Sequence, residues 1–447
     1  MKAGEPLLKN GKKLSNQKKQ AAHDPIQDSW MPWVYWSCGA LFYCYQFILR
    51  TCLNTIGHDL MHDLHLTATV FSSIISLGYL AYTLMQIPAG VFLDALGARR
   101  LLTLATVICA SGTLLFATSD QAFFLQIGRI LYGIGASCAF IGCAKLASMW
   151  FPPHKMPVVL GMTVFLGALG GSAAGAGVAV IVEHIGWRAM LYGMSIIGFV
   201  LSAIIFIVVR DRIVPQSSSK SSAKNKSVGL LAGLKQAIHT PQIVLAALFV
   251  SCMYLPLSIF GDAWGNTFLM KVYGLSHVDA ASANSALYLG FCLGSPLFGW
   301  LATQYQNIPV ILKSCCAILI ALIYPLLWMP QIVTGHVTIF TFLIGFVIAG
   351  QTLIFTLAVA NGTHAISGSV AGFVNMLSMI SGALFQYLIG VYLDWTWAGT
   401  IVDDVREYDI HHMQIAVSCI LVGMMIALTL GLFLKNKITD SVEEHMP

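Results

Sequence analysis

Twelve long apolar runs follow one another along this chain of 447 residues, at about 31–56, 70–93, 101–118, 122–149, 157–182, 187–209, 241–268, 280–302, 309–329, 332–358, 367–393 and 412–434. A helix needs roughly 20 apolar residues to cross the hydrocarbon core of a bilayer. In lipid, backbone N–H and C=O groups must be paired internally, so only helices and closed barrels span it. These runs are too long and continuous for barrel strands. The expected fold is therefore an all-α integral membrane bundle of twelve transmembrane helices. Charged residues make up only 10% of the chain, with a mean hydropathy of +0.77. A soluble domain carries about 25% charged residues, so a soluble enzyme of this length is excluded.

Charge placement predicts the orientation. Residues 1–29 are polar and basic, with Lys9, Lys12, Lys13, Lys18 and Lys19, and the apolar run that follows is too long for a signal-peptide core. This tail is expected to be disordered and cytoplasmic. The same side collects Arg99, Arg100, Lys155, the basic 210–240 segment, Lys435 and Lys437. The other side collects Asp59, Asp63, Asp120, Glu183, Asp279 and the acids at 403–409. Lys and Arg stay cytoplasmic, so both termini are expected there. The net charge of +5 comes largely from those segments and is not read as nucleic-acid binding. All eleven Cys residues fall in or beside apolar runs and read as packing residues, not as a disulfide frame or metal set.

The longest break between runs, 210–240, includes Gln216-Ser-Ser-Ser-Lys-Ser-Ser-Ala-Lys-Asn-Lys226 and lacks apolar periodicity. It predicts a flexible linker. The expected organisation is a tail (1–29), a six-helix bundle (30–209), the linker (210–240), a second six-helix bundle (241–434) and a tail (435–447). The halves read as repeats. Arg50-Thr-Cys-Leu-Asn54-Thr55 lines up with Asp262-Ala-Trp-Gly-Asn266-Thr267 at an offset of 212 residues, and Gly78 meets Gly290 at the same offset. After a three-residue slip Gly90 meets Gly299. Internal repeats are a common way to build transporters.

Between the second and third runs stands Gly90-Val-Phe-Leu-Asp94-Ala-Leu-Gly97-Ala-Arg99-Arg100. This stretch resembles the loop signature of the major facilitator superfamily, G-x3-D-[RK]-x-G-x-[RK]-[RK], with Ala95 departing from the usual basic residue. Gly128-Arg129-Ile-Leu-Tyr-Gly133-Ile-Gly135 resembles that family's R-x3-G-x-G motif, and Gly186-Trp187-Arg188 opens the sixth run as is common there. The resemblance spans roughly 31–434. It implies two six-helix halves related by a pseudo-twofold axis, a substrate site at the membrane midplane, and alternating access by rocking of the halves. Tyr45-Gln-Phe-Ile-Leu-Arg50, Lys145-Leu-Ala-Ser-Met-Trp-Phe-Pro-Pro153 and Ala371-Gly-Phe-Val-Asn375, with Gly382 and Gln386, resemble a bacterial branch that includes the phagosomal amino-acid and nucleoside transporters of intracellular bacteria. A bacterial inner membrane follows from the same resemblance. The fifth run has many glycines but no Gly-Pro, which counts against drug export.

Arg50 lies well inside the first run, where a charge costs about 2.5–3.5 kcal/mol on insertion scales. Tyr43, Gln46, Arg50 and Asn54 recur at helical spacing and predict one polar stripe. A guanidinium holds a carboxylate or phosphate through two parallel bonds. Asp262 lies inside the seventh run, with Tyr254, Ser258 and Asn266 at four-residue steps. A buried carboxylate there is suited to carrying a proton, to holding an ammonium group, or to neutralising Arg50. Together the pair suggests a zwitterion, its carboxylate on Arg50 and its amine on Asp262. Asn375 and Gln386 are further expected substrate contacts, the alternative being bonds to neighbouring helices. Lys145 is expected either to reach the headgroups or to line the inward cavity as a coupling residue. Gly90, Asp94, Gly97, Arg99, Arg100 and Arg129 are expected to form a conformational latch. His58, Asp59, His62, Asp63 and His65 lie at the end of the first run, where polar residues are ordinary, so no metal site is expected.

These observations predict a secondary transporter moving a small polar metabolite, an amino acid or related carboxylate, with a proton. The alternatives are a nucleoside or sugar-phosphate importer, a drug-type exporter, or a nutrient sensor that keeps the fold without turnover. No HExxH, GxSxG or P-loop pattern occurs. No enzyme activity, cofactor or nucleic-acid partner is expected, and the protein is expected to act as a monomer in the bilayer.

Overall fold

The computed structural model describes residues 30–152, 155–211, 230–305, 307–362, 367–402 and 405–436. The expected N-terminal tail, the C-terminal tail from 437 on, most of the linker, and Asp403 and Asp404 lie outside them. The twelve apolar runs form twelve helices. Helix α1 is Met31–Asp63, with Pro32 in its first turn, where a missing N–H costs nothing. The stretch Ala68–Thr118 is broken at Gly97, whose φ of +78° only glycine adopts readily, and so forms α2 (68–96) and α3 (98–118). Helix α4 is Ala122–Trp150. Helix α5 is Met156–Ala173, continued after a break at Ala174 and Gly175, and a second positive-φ glycine, Gly186 at +79°, separates it from α6 (187–208).

In the second half, α7 has three parts: α-helical Pro241–Met253, a π-helix Pro256–Trp264, and α-helical Gly265–Tyr273. Helix α8 is His277–Tyr305 and α9 is Ile308–Trp328. Helix α10 runs from Val337–Ile348 through a 3₁₀ turn, Ala349–Thr352, to Leu353–Ala360. Helix α11 is Ser367–Trp395, and α12 is Ile410–Val417 followed by Cys419–Gly431. Between α11 and α12, two short antiparallel strands, β1 (Ile401–Val402) and β2 (Val405–Arg406), form a hairpin.

By length and composition, ten helices among the described residues are long and apolar enough to cross a membrane. The other two are α1, which carries Gln46, Arg50 and Asn54, and α5, apolar over only Val158–Ala173. The expected linker is not wholly irregular. Leu230–Ile238 forms a helix, because Leu230, Leu234 and Ala237 repeat at helical spacing, and Leu234 and Ala237 pack on the core.

Two six-helix halves pack face to face. They meet through matching small-residue contacts: Gly175 of α5 lies against Ser285 of α8, and Gly390 of α11 lies against Ser72 of α2. A side chain at either glycine would collide with the facing helix, and such small residues let helices approach closely in lipid. Ser285 Oγ donates to Ser172 O at 2.7 Å. Further out, Thr69 N donates to Asp394 Oδ2 at 2.7 Å, and Ala68 N to the Tyr408 hydroxyl at 2.9 Å. Asp394 thus accepts from the first turn of α2, where backbone N–H groups lack helical partners and negative charge is favoured. Arg406 Nη1 binds the same carboxylate at 3.1 Å, which ties the hairpin to this closure. These contacts gather at the end of the bundle that carries Asp59, Asp63 and Asp279, the acidic end. Arg99, Arg100 and Arg210 mark the opposite, basic end, where Gly90 of α2 has no neighbour within 4 Å of an added side chain.

A buried Arg–Asp pair between the two halves as the candidate functional site

Arg50 on α1 and Asp262 in the π-helical part of α7 meet in the middle of the bundle. Arg50 is 8% exposed and Asp262 is 0% exposed. Arg50 donates from Nε at 3.1 Å and from Nη2 at 2.9 Å to Asp262 Oδ2. Two tyrosines complete the carboxylate's shell. The Tyr79 hydroxyl of α2 donates to Oδ2 and the Tyr288 hydroxyl of α8 donates to Oδ1. Arg50 Nη2 also donates to the Tyr79 oxygen at 2.6 Å, and its guanidinium carbon lies 4.7 Å from the Tyr79 ring centroid. Tyr254 is within hydrogen-bond reach of Tyr79, hydroxyl to hydroxyl at 3.3 Å. Two opposite charges out of water are tolerable only when paired and hydrogen-bonded, which this shell provides.

The repeats meet in space. Arg50 and Asp262, 212 positions apart, are bonded to each other, and Asn54 Oδ1 accepts from Asn266 N, also 212 positions away, at 3.0 Å. Tyr79 and Tyr288 were not singled out by the sequence. The repeat gave no signal for them, because the alignment that sets Gly78 on Gly290 cannot also set the next residue, Tyr79, on Tyr288.

The remaining expected residues divide among several places. Asn54 gives its amide hydrogens to Phe260 O and Gly261 O of α7 at 2.8 and 2.7 Å. Gln46 does not turn toward Arg50: its Oε1 accepts from the Tyr132 hydroxyl of α4 at 3.2 Å. Tyr43 packs by its ring on Phe47 and Phe140, at centroid distances of 5.0 and 5.7 Å. The expected single stripe on α1 is therefore shared between neighbours, because most of α1 is packed among several other helices. Asn266 is buried. Gln386 of α11 is also buried and donates to Ser258 O at 2.6 Å. Asn375 is half-buried on α11, and its carbonyl accepts from Ser378 Oγ at 2.8 Å.

Lys145 is not brought to the pair. It lines a cavity of about 540 Å³ at the basic end together with Arg99, Arg100, Arg210 and Asp211. From Tyr132 that is about 20 Å along α4, at 1.5 Å per residue. The loop expected to be a latch is pinned within its own half. Arg99 donates from its backbone N to Asp211 Oδ1 at 3.1 Å and from Nε to Phe206 O at 2.7 Å, on the last turn of α6. Asp211, at the start of the expected linker, was another residue the sequence reading missed. The Asp94 side chain lies outside the described residues. Arg129, grouped with this latch, lies instead in the bundle interior. It is 5% exposed, donates from Nη1 to Leu49 O at 3.0 Å and stacks on the Tyr132 ring at 4.2 Å. At the end of α1, Trp187 Nε1 donates to Asp63 Oδ2 at 2.8 Å, and among the described residues no cluster of three or more His, Cys, Asp or Glu could hold a metal.

Comparison with known proteins bears on what such a site serves. The family model described as Major Facilitator Superfamily matches residues 39–386. The Hexuronate transporter of Bacillus subtilis (strain 168) is 24% identical, over 78% of this chain and 84% of its own length. Membrane sensor protein UhpC of Escherichia coli (strain K12) is 23% identical, over 82% of this chain and 86% of its own length. Among solved structures, a bacterial homolog to the human lysosomal transporter Spinster, inward-facing and unoccupied, superposes with a TM-score of 0.76 at 15% identity, covering 94% of this chain and 99% of that one.

Proposed function

The chain belongs to the major facilitator superfamily, and from that premise we propose that it is a proton-coupled importer of a small organic carboxylate, with Arg50 as the anion ligand and Asp262 as the proton carrier. One observation carries the reading: a buried ion pair at mid-bundle, the one such pair among the described residues, joins the two halves, with its cation on one and its anion on the other. The bonds from Arg50 to Asp262 leave through Nε and Nη2. Its third nitrogen, Nη1, is where a substrate carboxylate would join first, and release of Nη2 from Asp262 would complete the two-bonded geometry that guanidinium favours.

Both Asp262 oxygens are already engaged, Oδ2 by Arg50 and Tyr79 and Oδ1 by Tyr288. That supports a carboxylate over a zwitterion, since the fully buried carboxylate offers an ammonium group no open side unless a tyrosine moves. A proton on Asp262 frees Arg50 for the substrate, and the entering negative charge is matched by the entering positive one. The relationship to a hexuronate transporter supports a sugar acid as the carboxylate. In the same reading the basic end faces the cytoplasm of a bacterium, the protein sits in its inner membrane, and it works as a monomer.

The test is uptake of radiolabelled D-glucuronate into proteoliposomes under an imposed inward proton gradient, with a panel of amino acids, nucleosides and sugar phosphates as competitors. Gradient-driven uptake abolished by a protonophore supports the reading. Competition by amino acids alone would restore the zwitterion. Binding without uptake would favour a sensor, the class that the UhpC relationship brings forward.

A further inference from the structure

Helix α7 changes register at Asp262. Its Pro256–Trp264 stretch is a π-helix, and at its end Gly265 N donates to Phe260 O, five residues back. Pro256 lacks the N–H that would continue the α-helix from Pro241–Met253. π-helices occur mostly as single turns, often at functional sites, so a nine-residue run needs outside support.

That support is visible. Carboxamides from three other helices hydrogen-bond carbonyls of this stretch. Gln386 of α11 donates to Ser258 O at 2.6 Å, Asn54 of α1 to Phe260 O at 2.8 Å and Gly261 O at 2.7 Å, and Asn284 of α8 to Gly261 O at 2.9 Å. Asn54 also accepts, at Oδ1, from Asn266 N just beyond the stretch, at 3.0 Å. The three side chains are 0–2% exposed, so their amide groups have no water as an alternative partner. Asp262 directly follows Gly261, the carbonyl that two of them share.

We propose that Asn54, Asn284 and Gln386 are positioning residues that hold α7 in its π register and thereby aim the Asp262 carboxylate at Arg50. This deepens the site proposed above and rests on its Arg50–Asp262 pair, not on the identity of the substrate. A return to α-helical turns would rotate Asp262 relative to the start of α7 and away from α1. Asn54 sits one helical turn from Arg50, so one helix carries the cation and also sets the direction of its anion. Separation of α1 from α7 would break both contacts together, which links parting of the halves to release of the ion pair.

The test needs no substrate. Apparent melting temperatures of the detergent-purified protein are measured for Arg50→Gln, Asp262→Asn and the double variant, and their non-additivity reads the coupling of the pair. The cycle is then repeated in Asn54→Ala, in Asn284→Ala and in Gln386→Leu. The coupling is expected to fall by about half or more in the Asn54→Ala background, beyond what distant sites perturb in such cycles. It should fall in at least one of the other two. If Asn54→Ala does not fold, Asn54→Ser, Asn284→Ala and Gln386→Leu report the same quantity. A uniform fall in melting temperature with the coupling undiminished would mean ordinary packing and overturn the proposal. Because D-glucuronate takes no part, failure of the uptake assay would count against the substrate alone.

Discussion

Arg50 and Asp262 each depend on the other for a tolerable environment. Removing one member of a buried pair leaves an uncompensated charge, at a cost of about 3–5 kcal/mol. Arg50→Ala is therefore expected to lower the apparent melting temperature strongly and to abolish binding of D-glucuronate in a thermal-shift titration; a variant that folds and still binds with unchanged affinity would remove Arg50 from the site. Asp262→Asn is nearly isosteric and keeps an oxygen for one of the two tyrosine hydroxyls. It is expected to leave uptake independent of pH, whereas wild-type uptake is expected to rise as the outside is acidified; an unchanged pH profile in Asp262→Asn would place the proton elsewhere. The groups facing Asp262 are Arg50 of α1, Tyr79 of α2 and Tyr288 of α8, and Tyr254 of α7 touches Tyr79. Arg50 was legible because an Arg inside an apolar run is costly and so demands a reason. The two tyrosines were not, because a Tyr in an apolar run is unremarkable until its hydroxyl is seen to meet a charge.

At the level of single elements, glycine and proline decide where the long apolar runs turn. Gly97 combines φ +78° with a ψ of 167°, a region close to glycine-only, and an added side chain would run into the Asp211 carboxylate. Gly97→Ala is expected to cost about 1–3 kcal/mol. The check is a lowered melting temperature together with faster hydrogen exchange at 95–100, where loss of the Arg99–Asp211 contact would appear; an unchanged melting temperature would show that the turn tolerates a side chain. Helix α7 carries the larger lesson. Tyr254, Ser258, Asp262 and Asn266 stand at four-residue steps and predict one face of an α-helix. Pro256 and the carboxamides of three neighbouring helices change the register instead. The proline was visible in the sequence, but the partners that make a long π stretch stable came from α1, α8 and α11.

For the whole molecule, what matters is where the halves touch. They are closed at the acidic end by Gly175 against Ser285 and by Gly390 against Ser72, while Gly90 toward the basic end faces open space. Reciprocal effects follow if the halves rock about the central site. Gly390→Leu would wedge the closed end apart and shift the population toward the opposite opening. Gly90→Leu would fit this conformation but hinder closure of the basic end, so D-glucuronate binding would persist while turnover slows. Distances between spin labels at the two ends are expected to move in opposite senses in the two variants. Equal distances in both would mean that these glycines do not set the equilibrium.

Twelve apolar runs, a basic end and an acidic end, and two half-chains carrying one pattern can all be read from the chain itself. Lipid leaves the backbone few alternatives, so hydrophobicity and length nearly dictate the elements, and repeat spacing dictates their grouping. Which polar side chains meet is a different matter. It depends on helix rotation and on the approach of one half to the other, and neither leaves a local trace. Arg50 could have faced substrate, water or any acid, Asn54 and Gln386 could have faced a cavity, and Lys145 could have reached the centre. Packing across the pseudo-twofold axis set Arg50 against Asp262, committed Asn54 and Gln386 to the backbone of α7, and left Lys145 at the basic end.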